Sequence, residues 1–182
     1  MPRDVAGEAG AVAIRPARLE ELGVVSDILS EAAGWLRGRG IHQWPERFPD
    51  QLIAAGLERG EVHLALDAGR AVGTLTLQWE DPRFWGEGGD AGYLHRLAVV
   101  PSHRGRGLGH ELLDWAGSRV VAAGRTFLRL DCLSENRALR DYYEAAGFEH
   151  RGDVSGESSD PCGGRHRWTV SRYERAARVP GS

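Results

Sequence analysis

The stretch from Tyr93 to Gly124, "YLHRLAVVPSHRGRGLGHELLDWAGSRVVAAG", does most to limit what this chain can fold into. Residues 93 to 100 have strand character, a turn with Gly105, Gly107 and Gly109 follows, and helical periodicity predicts a helix over roughly residues 107 to 123. The glycines release the backbone from side-chain sterics, so successive amide N–H groups can turn inward and form a concave anion site. The helix behind them adds unpaired N–H groups and the positive end of its dipole, which suits a pyrophosphate. Arg104 and Arg106 would supply positive charge at the rim. The spacing is neither GxGxxG nor a GK[ST] loop, so the dinucleotide and Walker-type readings fail.

The rest of the chain supplies a sheet for that helix to cover. "AVAIRPA" (11 to 17) predicts a first strand, and Leu19, Leu22, Val25, Ile28, Leu29, Ala32 and Leu36 trace one helix face, stopped by Gly38 and Gly40. A short helix is expected near residues 50 to 58. Strands 61 to 66 and 71 to 79 form a hairpin around "DAGR". Beyond the central unit come the strand "TFLRLDCL", the helix "ENRALRDYYEAAG", and the strands "FEHRGDV" and "RHRWTVSRYER", with residues 155 to 165 expected as a loop. This order points to an α/β or α+β sheet with helices on its faces. A single domain over residues 11 to 173 is expected, with a leader at 1 to 10 and a tail at 174 to 182.

Charge and composition exclude several partners. The net charge is -3 over 182 residues, with every basic residue an arginine, which lacks the positive excess of a nucleic-acid binder. No run approaches a membrane span and no signal-peptide pattern opens the chain, so a cytoplasmic protein is expected. Cys132 and Cys162 have no metal-ligand spacing, and no metal site is expected.

"LAVVPSHRGRGLGHELLDWA" resembles the acyl-CoA-binding motif of the GNAT superfamily of N-acetyltransferases, with Arg104, Gly107 and Gly109 at the Arg/Gln-x-x-Gly-x-Gly/Ala positions. "ENRALRDYYEAAGFEHRG" independently resembles that family's Asn-to-Tyr helix and its "Y-x-x-x-G-F" ending, with Asn136, Tyr143, Gly147 and Phe148. The resemblance implies a mixed, mostly antiparallel central sheet flanked by helices, with a splayed strand pair that binds acyl-CoA. Acetyl-CoA would be the cosubstrate, its pantetheine arm pairing with backbone groups of Leu97, Ala98 and Val99. Amides of Arg104, Gly105, Arg106, Gly107, Leu108 and Gly109 would hold the pyrophosphate, and a backbone N–H near Val99 would polarise the thioester carbonyl.

By the same resemblance Tyr143 takes the general-acid position beside the leaving sulfur, and Asn136 anchors the cofactor or caps its helix. Tyr142 is expected to pack. His95 is the candidate base, a neutral imidazole near neutral pH on the face of Tyr93 and Leu97 by strand alternation; family members often carry a carboxylate on the strand at 93 to 100, and this one departs from them in having none. A packed histidine without a catalytic role is the competing reading. Asp131 and Cys132 end the neighbouring strand near the same cleft, and a Cys nucleophile ranks below direct transfer.

Acceptor contacts are expected in the loops "IHQWPERFP" and "DPRFWGEGGDAG", from Gln43, Trp44 and Trp85, with Phe48 and Phe84 nearby and Glu46 and Asp90 able to attract a cation. The reading is an acetyl-CoA-dependent transferase for a primary amine of a small molecule. A non-catalytic acyl-CoA sensor of the same fold is the alternative, and homodimerisation is expected only by analogy to the family.

Overall fold

The structure is a computed structural model, and it describes residues 12–86, 88–159 and 165–179. Among them, strands β1 (Ala13–Pro16), β2 (Val62–Asp67), β3 (Arg70–Gln78), β4 (Ala91–Val99), β5 (Phe127–Leu133), β6 (Glu149–Ser159) and β7 (Arg165–Ala176) form one sheet in the order β1-β2-β3-β4-β5-β7-β6. Helices α1 (Leu22–Arg37), α2 (Asp50–Glu58), α3 (Pro82–Trp85), α4 (Leu108–Ala122) and α5 (Arg137–Ala145) complete it. Every strand pair is antiparallel except β4 with β5. No described helix is long and apolar enough to cross a membrane. The expected fold class is the observed one.

Two apolar layers sandwich the sheet. On one side Leu112, Leu113, Ala116 and Val120 of α4 pack on Leu75, Leu77, Leu94, Leu128 and Leu130. On the other, Val25, Ile28 and Leu29 of α1 and Ile53 and Leu57 of α2 pack on Val62, Leu64 and Ala98. β5 alternates cleanly: Leu128, Leu130 and Cys132 enter the α4 layer, so Arg129 and Asp131 face the opposite side. α1 ends where the glycines predict, with Gly38 as its cap and Gly40 at φ +73°.

β4 and β5 pair only from Ala91 with Phe127 to Leu94 with Leu130; beyond that rung they part from each other, β4 running on against β3 to Val99 and β5 against β7 to Leu133. The sheet therefore opens a gap between its two central strands. β4 also carries a bulge: Thr74 lies opposite Ala98 and Thr76 opposite His95, an extra residue on β4, with Arg96 at φ +50°. Thr74 and Thr76 share a face, so Ala98, and not Leu97, shares the face of His95. Leu97 turns to the α4 layer. The bulge breaks the simple alternation on which the expected His95–Leu97 pairing depends.

Two further expectations change. Residues 155 to 159 continue β6 against β7, so the expected loop at 155 to 165 is largely a hairpin, and its tip at 160–164 lies outside the described residues. β7 runs on to Ala176 with Glu174 and Arg175 buried, past residue 173 where the sequence suggests a tail. The expected leader, residues 1 to 10, lies outside the described residues.

Candidate active site

The gap between β4 and β5 opens into a cleft of about 1650 Å³, larger than most single-ligand pockets. Of the glycine loop, Arg104 and Gly109 line this cleft, and the residues between them lie beyond its lining. Gly105 and Gly107 adopt φ +72° and +87°, which orients the loop into α4. No loop or cap hydrogen bond is donated to backbone by the amides from Gly105 to Gly109, whereas the Arg104 amide is spent on the Pro101 carbonyl. The amide seat is thus one residue shorter than expected.

Arg104 also departs from its expected rim position. Its Nε donates to the Val99 carbonyl at 3.1 Å, its guanidinium stacks on Trp35 at 4.2 Å, and Nη1 is buried without a partner. At Gly109 a Cβ would fall 2.5 Å from the Tyr142 hydroxyl, itself buried and unpartnered. Tyr142 packs against His110 and Tyr143, as expected, yet its hydroxyl reaches the seat. Open amides, an unpartnered guanidinium nitrogen, an orphan hydroxyl and the edge of β4 from His95 to Ala98 left open toward β5 together fit a phosphate-bearing ligand with an amide-containing arm.

Tyr143 sits in the middle of the cleft wall, packed by Phe148 and Tyr173. Burial pushes its phenol well above the ordinary range, so it keeps its proton until a strong base is close. Cys132 beside it is driven up to about 12 by burial, chiefly, and then by Asp131, which leaves a thiol and no thiolate nucleophile at neutral pH. Asn136 accepts from the Leu139 amide as the α5 cap and donates to Gln43 Oε1 at 2.9 Å. One side chain therefore starts the helix and ties the 41–48 segment over the cleft.

His95 lies at the mouth of the gap, on the face of Tyr93 but not of Leu97, and it is not alone. Its Nε2 is 3.6 Å from Asp81 Oδ2 and its Nδ1 is 3.8 Å from Asp131 Oδ1. Asp81 Oδ2, His95 Nε2 and Asp131 Oδ1 are all buried without a hydrogen bond. Burial, with Arg96 adding to it, lowers the imidazole to about 4, so His95 is neutral at pH 7 and a weak proton acceptor. Burial, and then the charge of Asp81, lifts Asp131 to about 7. Asp81 is raised as well, again by burial. One ligand atom from each of the three groups lies within 4.8 Å of the others, close enough to share a cation, while the two carboxylates approach different ring nitrogens, so each can exchange a proton with the imidazole.

The acceptor end is walled by Gln43, Trp44 and Phe48 from one segment, Arg83 and Phe84 from α3, and Trp168 from β7. Trp85 does not line it. That ring is held between Arg129 and Arg172, at 4.7 and 5.2 Å, and its neighbour Phe84 takes the expected place. Asp90 is occupied in bonding Thr126, and Glu46 is an exposed partner of Arg37, so neither serves the cleft. The sequence reading missed Asp81, Arg83 and Trp168. Asp81 had a local signal, an Asp before Pro at a helix start, where it accepts from the Phe84 amide; its approach to His95 had none.

The sequence model of the Acetyltransferase (GNAT) family matches residues 25–148. An uncharacterized N-acetyltransferase of Bacillus subtilis (strain 168), YesJ, is 34% identical over 152 residues, covering 78% of this chain and 84% of that protein. A GNAT-family acetyltransferase structure from Listeria monocytogenes 4b F2365 superposes with a TM-score of 0.71 at 25% identity, over 93% of this chain and 98% of that one. The Salmonella typhimurium putative acetyltransferase yncA, solved with its cofactor acetyl-CoA, superposes with a TM-score of 0.67 at 18% identity, over 95% and 98%.

Proposed function

Because this chain belongs to the GNAT family of acetyltransferases, we propose that it uses acetyl-CoA, the cofactor bound in yncA, as its cosubstrate and acetylates the primary amine of a small molecule by direct transfer. The observation that carries the acceptor class is the ring-lined end of the cleft. Trp44, Phe48, Phe84 and Trp168 come from three separate segments and give the cleft an aromatic lining, which suits the apolar body of a small amine.

Bound acetyl-CoA supplies an acetyl group already activated as a thioester. Amides of Gly105, Arg106, Gly107, Leu108 and Gly109, with Arg104 and Tyr142, hold its phosphates. The open backbone edge of Leu97, Ala98 and Val99 aligns its arm, and an amide near Val99 polarises the carbonyl to be attacked. Asn136 contributes indirectly by keeping Gln43 in the wall. Tyr143 donates its proton to the departing sulfur, a task its retained proton suits. An alkylammonium must first lose a proton, at roughly 4 to 5 kcal/mol for a pKa of ~10.4 at pH 7. Proton removal belongs to the His95 end, across the gap from Tyr143.

Acetyl-CoA is expected to raise the melting temperature, and a thiol-release screen over amino acids, aralkylamines and polyamines is expected to find an acceptor. Tyr143→Phe should lower kcat about 10²-fold with acetyl-CoA affinity kept. A protein neither stabilised by acetyl-CoA nor able to release CoA with any amine would falsify this reading; undiminished turnover in Tyr143→Phe would remove the tyrosine from its role.

A further inference from the structure

The carboxylate missing from β4 has a counterpart one strand away. Leu94 pairs with Leu130 on the last closed rung of β4 and β5, so His95 and Asp131 face each other where the strands part. Both line the cleft, whereas Asp81, its side chain only 7% exposed, closes the group from behind through the other imidazole nitrogen. Alternation along β5 puts Asp131 on the sheet face opposite Cys132 and the Tyr143 layer.

We infer that Asp131 takes the proton from the acceptor's ammonium group, with His95 and Asp81 as the positioning pair that holds and tunes it. The inference rests on the amine-acetylating reading above. In this sequence the ammonium N–H bond breaks as the Asp131 O–H bond forms. The neutral amine then makes the new C–N bond while the C–S bond breaks, and the Tyr143 proton goes to sulfur. The surplus proton on the new amide nitrogen restores the phenol, and Asp131 returns its own proton to water through the cleft. One proton is released per turnover. Acid and base thus work from opposite sides of the gap in the sheet.

The surroundings of Asp131 suit this task. Asp81 faces it from the loop before α3, His95 from β4, and Arg83 from α3. From β7 its register partner is Arg172, whose guanidinium is tied to the Phe84 and Arg151 carbonyls and so is not paired with Asp131. The desolvation and like charge that lift Asp131 toward neutrality make it a stronger base than a surface aspartate, and His95 a weaker one than a free imidazole.

The test compares parent, Asp131→Asn, Asp131→Glu and Asp81→Asn on the acceptor found by the thiol-release screen and on hydroxylamine, which is already neutral at pH 7. Asp131→Asn should lose about 10²-fold or more in kcat/KM for a protonated amine, with acetyl-CoA affinity unchanged. Its remaining rate should climb about tenfold per pH unit toward the pKa of the amine, and the defect should shrink with hydroxylamine. Asp131→Glu should recover part of the rate. Asp81→Asn removes the like charge and should move the acid limb of the pH profile to lower pH, which a structural role would not do. A parent that acetylates amines and an Asp131→Asn variant that matches it from about pH 6 to 9 overturn this assignment alone; a parent that releases no CoA overturns the transferase reading instead. Loss of turnover in EDTA, restored by zinc or magnesium, would also overturn it by making the cluster a cation site.

Discussion

At the scale of single residues, Gly109 shows how tightly the phosphate seat is built. The helix start, the Tyr142 hydroxyl and the cleft meet at a point where even one methyl group lacks room. Tyr142 cannot swing aside freely, because its ring is wedged between His110, at 4.7 Å, and Tyr143, at 5.5 Å. Gly109→Ala should therefore cost about 1–3 kcal/mol of stability by overpacking and weaken acetyl-CoA binding. Tyr142→Phe removes the obstructing oxygen, and with it a buried hydroxyl that has no partner. The double variant should thus recover most of the lost stability, a coupling that thermal melts of the four proteins measure. A Gly109→Ala protein as stable as its parent would show that the seat has slack.

At the scale of elements, Arg175 is the clamp that keeps the two motif helices on the sheet. From β7 it donates to the Ala146 carbonyl past the end of α5, to the Leu113 carbonyl within α4 and to Asp114 at 2.8 Å. Its side chain is 5% exposed, while that of Asp114 is 35% exposed, so the two ends of this ion pair differ in what their loss leaves behind. Arg175→Ala strands buried carbonyls and should cost about 3–5 kcal/mol. Asp114→Asn leaves the buried guanidinium without its counter-charge but keeps an amide oxygen to accept its hydrogen bond, and should cost less, about 1–3 kcal/mol. Urea unfolding separates the two; equal midpoints would remove the clamp.

The elements themselves were largely legible in the sequence, because hairpins, helix faces and glycine stops are local signals. So was the place of Tyr143 in the cleft wall, through the residues around it. What escaped was whatever depends on register between distant strands. The bulge at Arg96 is defined only against Thr74 and Thr76, and it reassigns Leu97 to the other face. Asp81 and Asp131 are separated along the chain and become neighbours through the β4–β5 opening. Trp85 was misplaced because an aromatic in a loop carries no sign of which side it packs; Arg129 and Arg172 decide that.

At the scale of the whole molecule, the buried cluster should leave a mark on stability as a function of pH. Folded Asp131 holds its proton up to about pH 7, against 3.8 for the ordinary group, so between those values the folded chain binds more protons and stability falls as pH rises. Asp81 acts in the same direction. Folded His95 accepts a proton only below about 4, against 6.5 ordinarily, so there the unfolded chain binds more and stability rises with pH. The two slopes oppose each other across nearly the same window. Glu21, held down to about 2 by Arg15, acts below it, its contribution being lost as pH falls from about 4.5 toward 2. The parent should therefore show a shallow profile between about pH 4 and 6.5 although two buried groups titrate there. Removing one partner unmasks the other. Asp131→Asn should gain about 3 kcal/mol as pH rises through that window, and His95→Gln should lose about 4 kcal/mol between about pH 4 and 7. Urea midpoints at a series of pH values measure both. Opposite slopes in the two variants mean that the cluster stores opposing protonation preferences, which is the condition a proton-accepting site needs; two flat profiles would mean that water reaches both groups and that neither is tuned by burial.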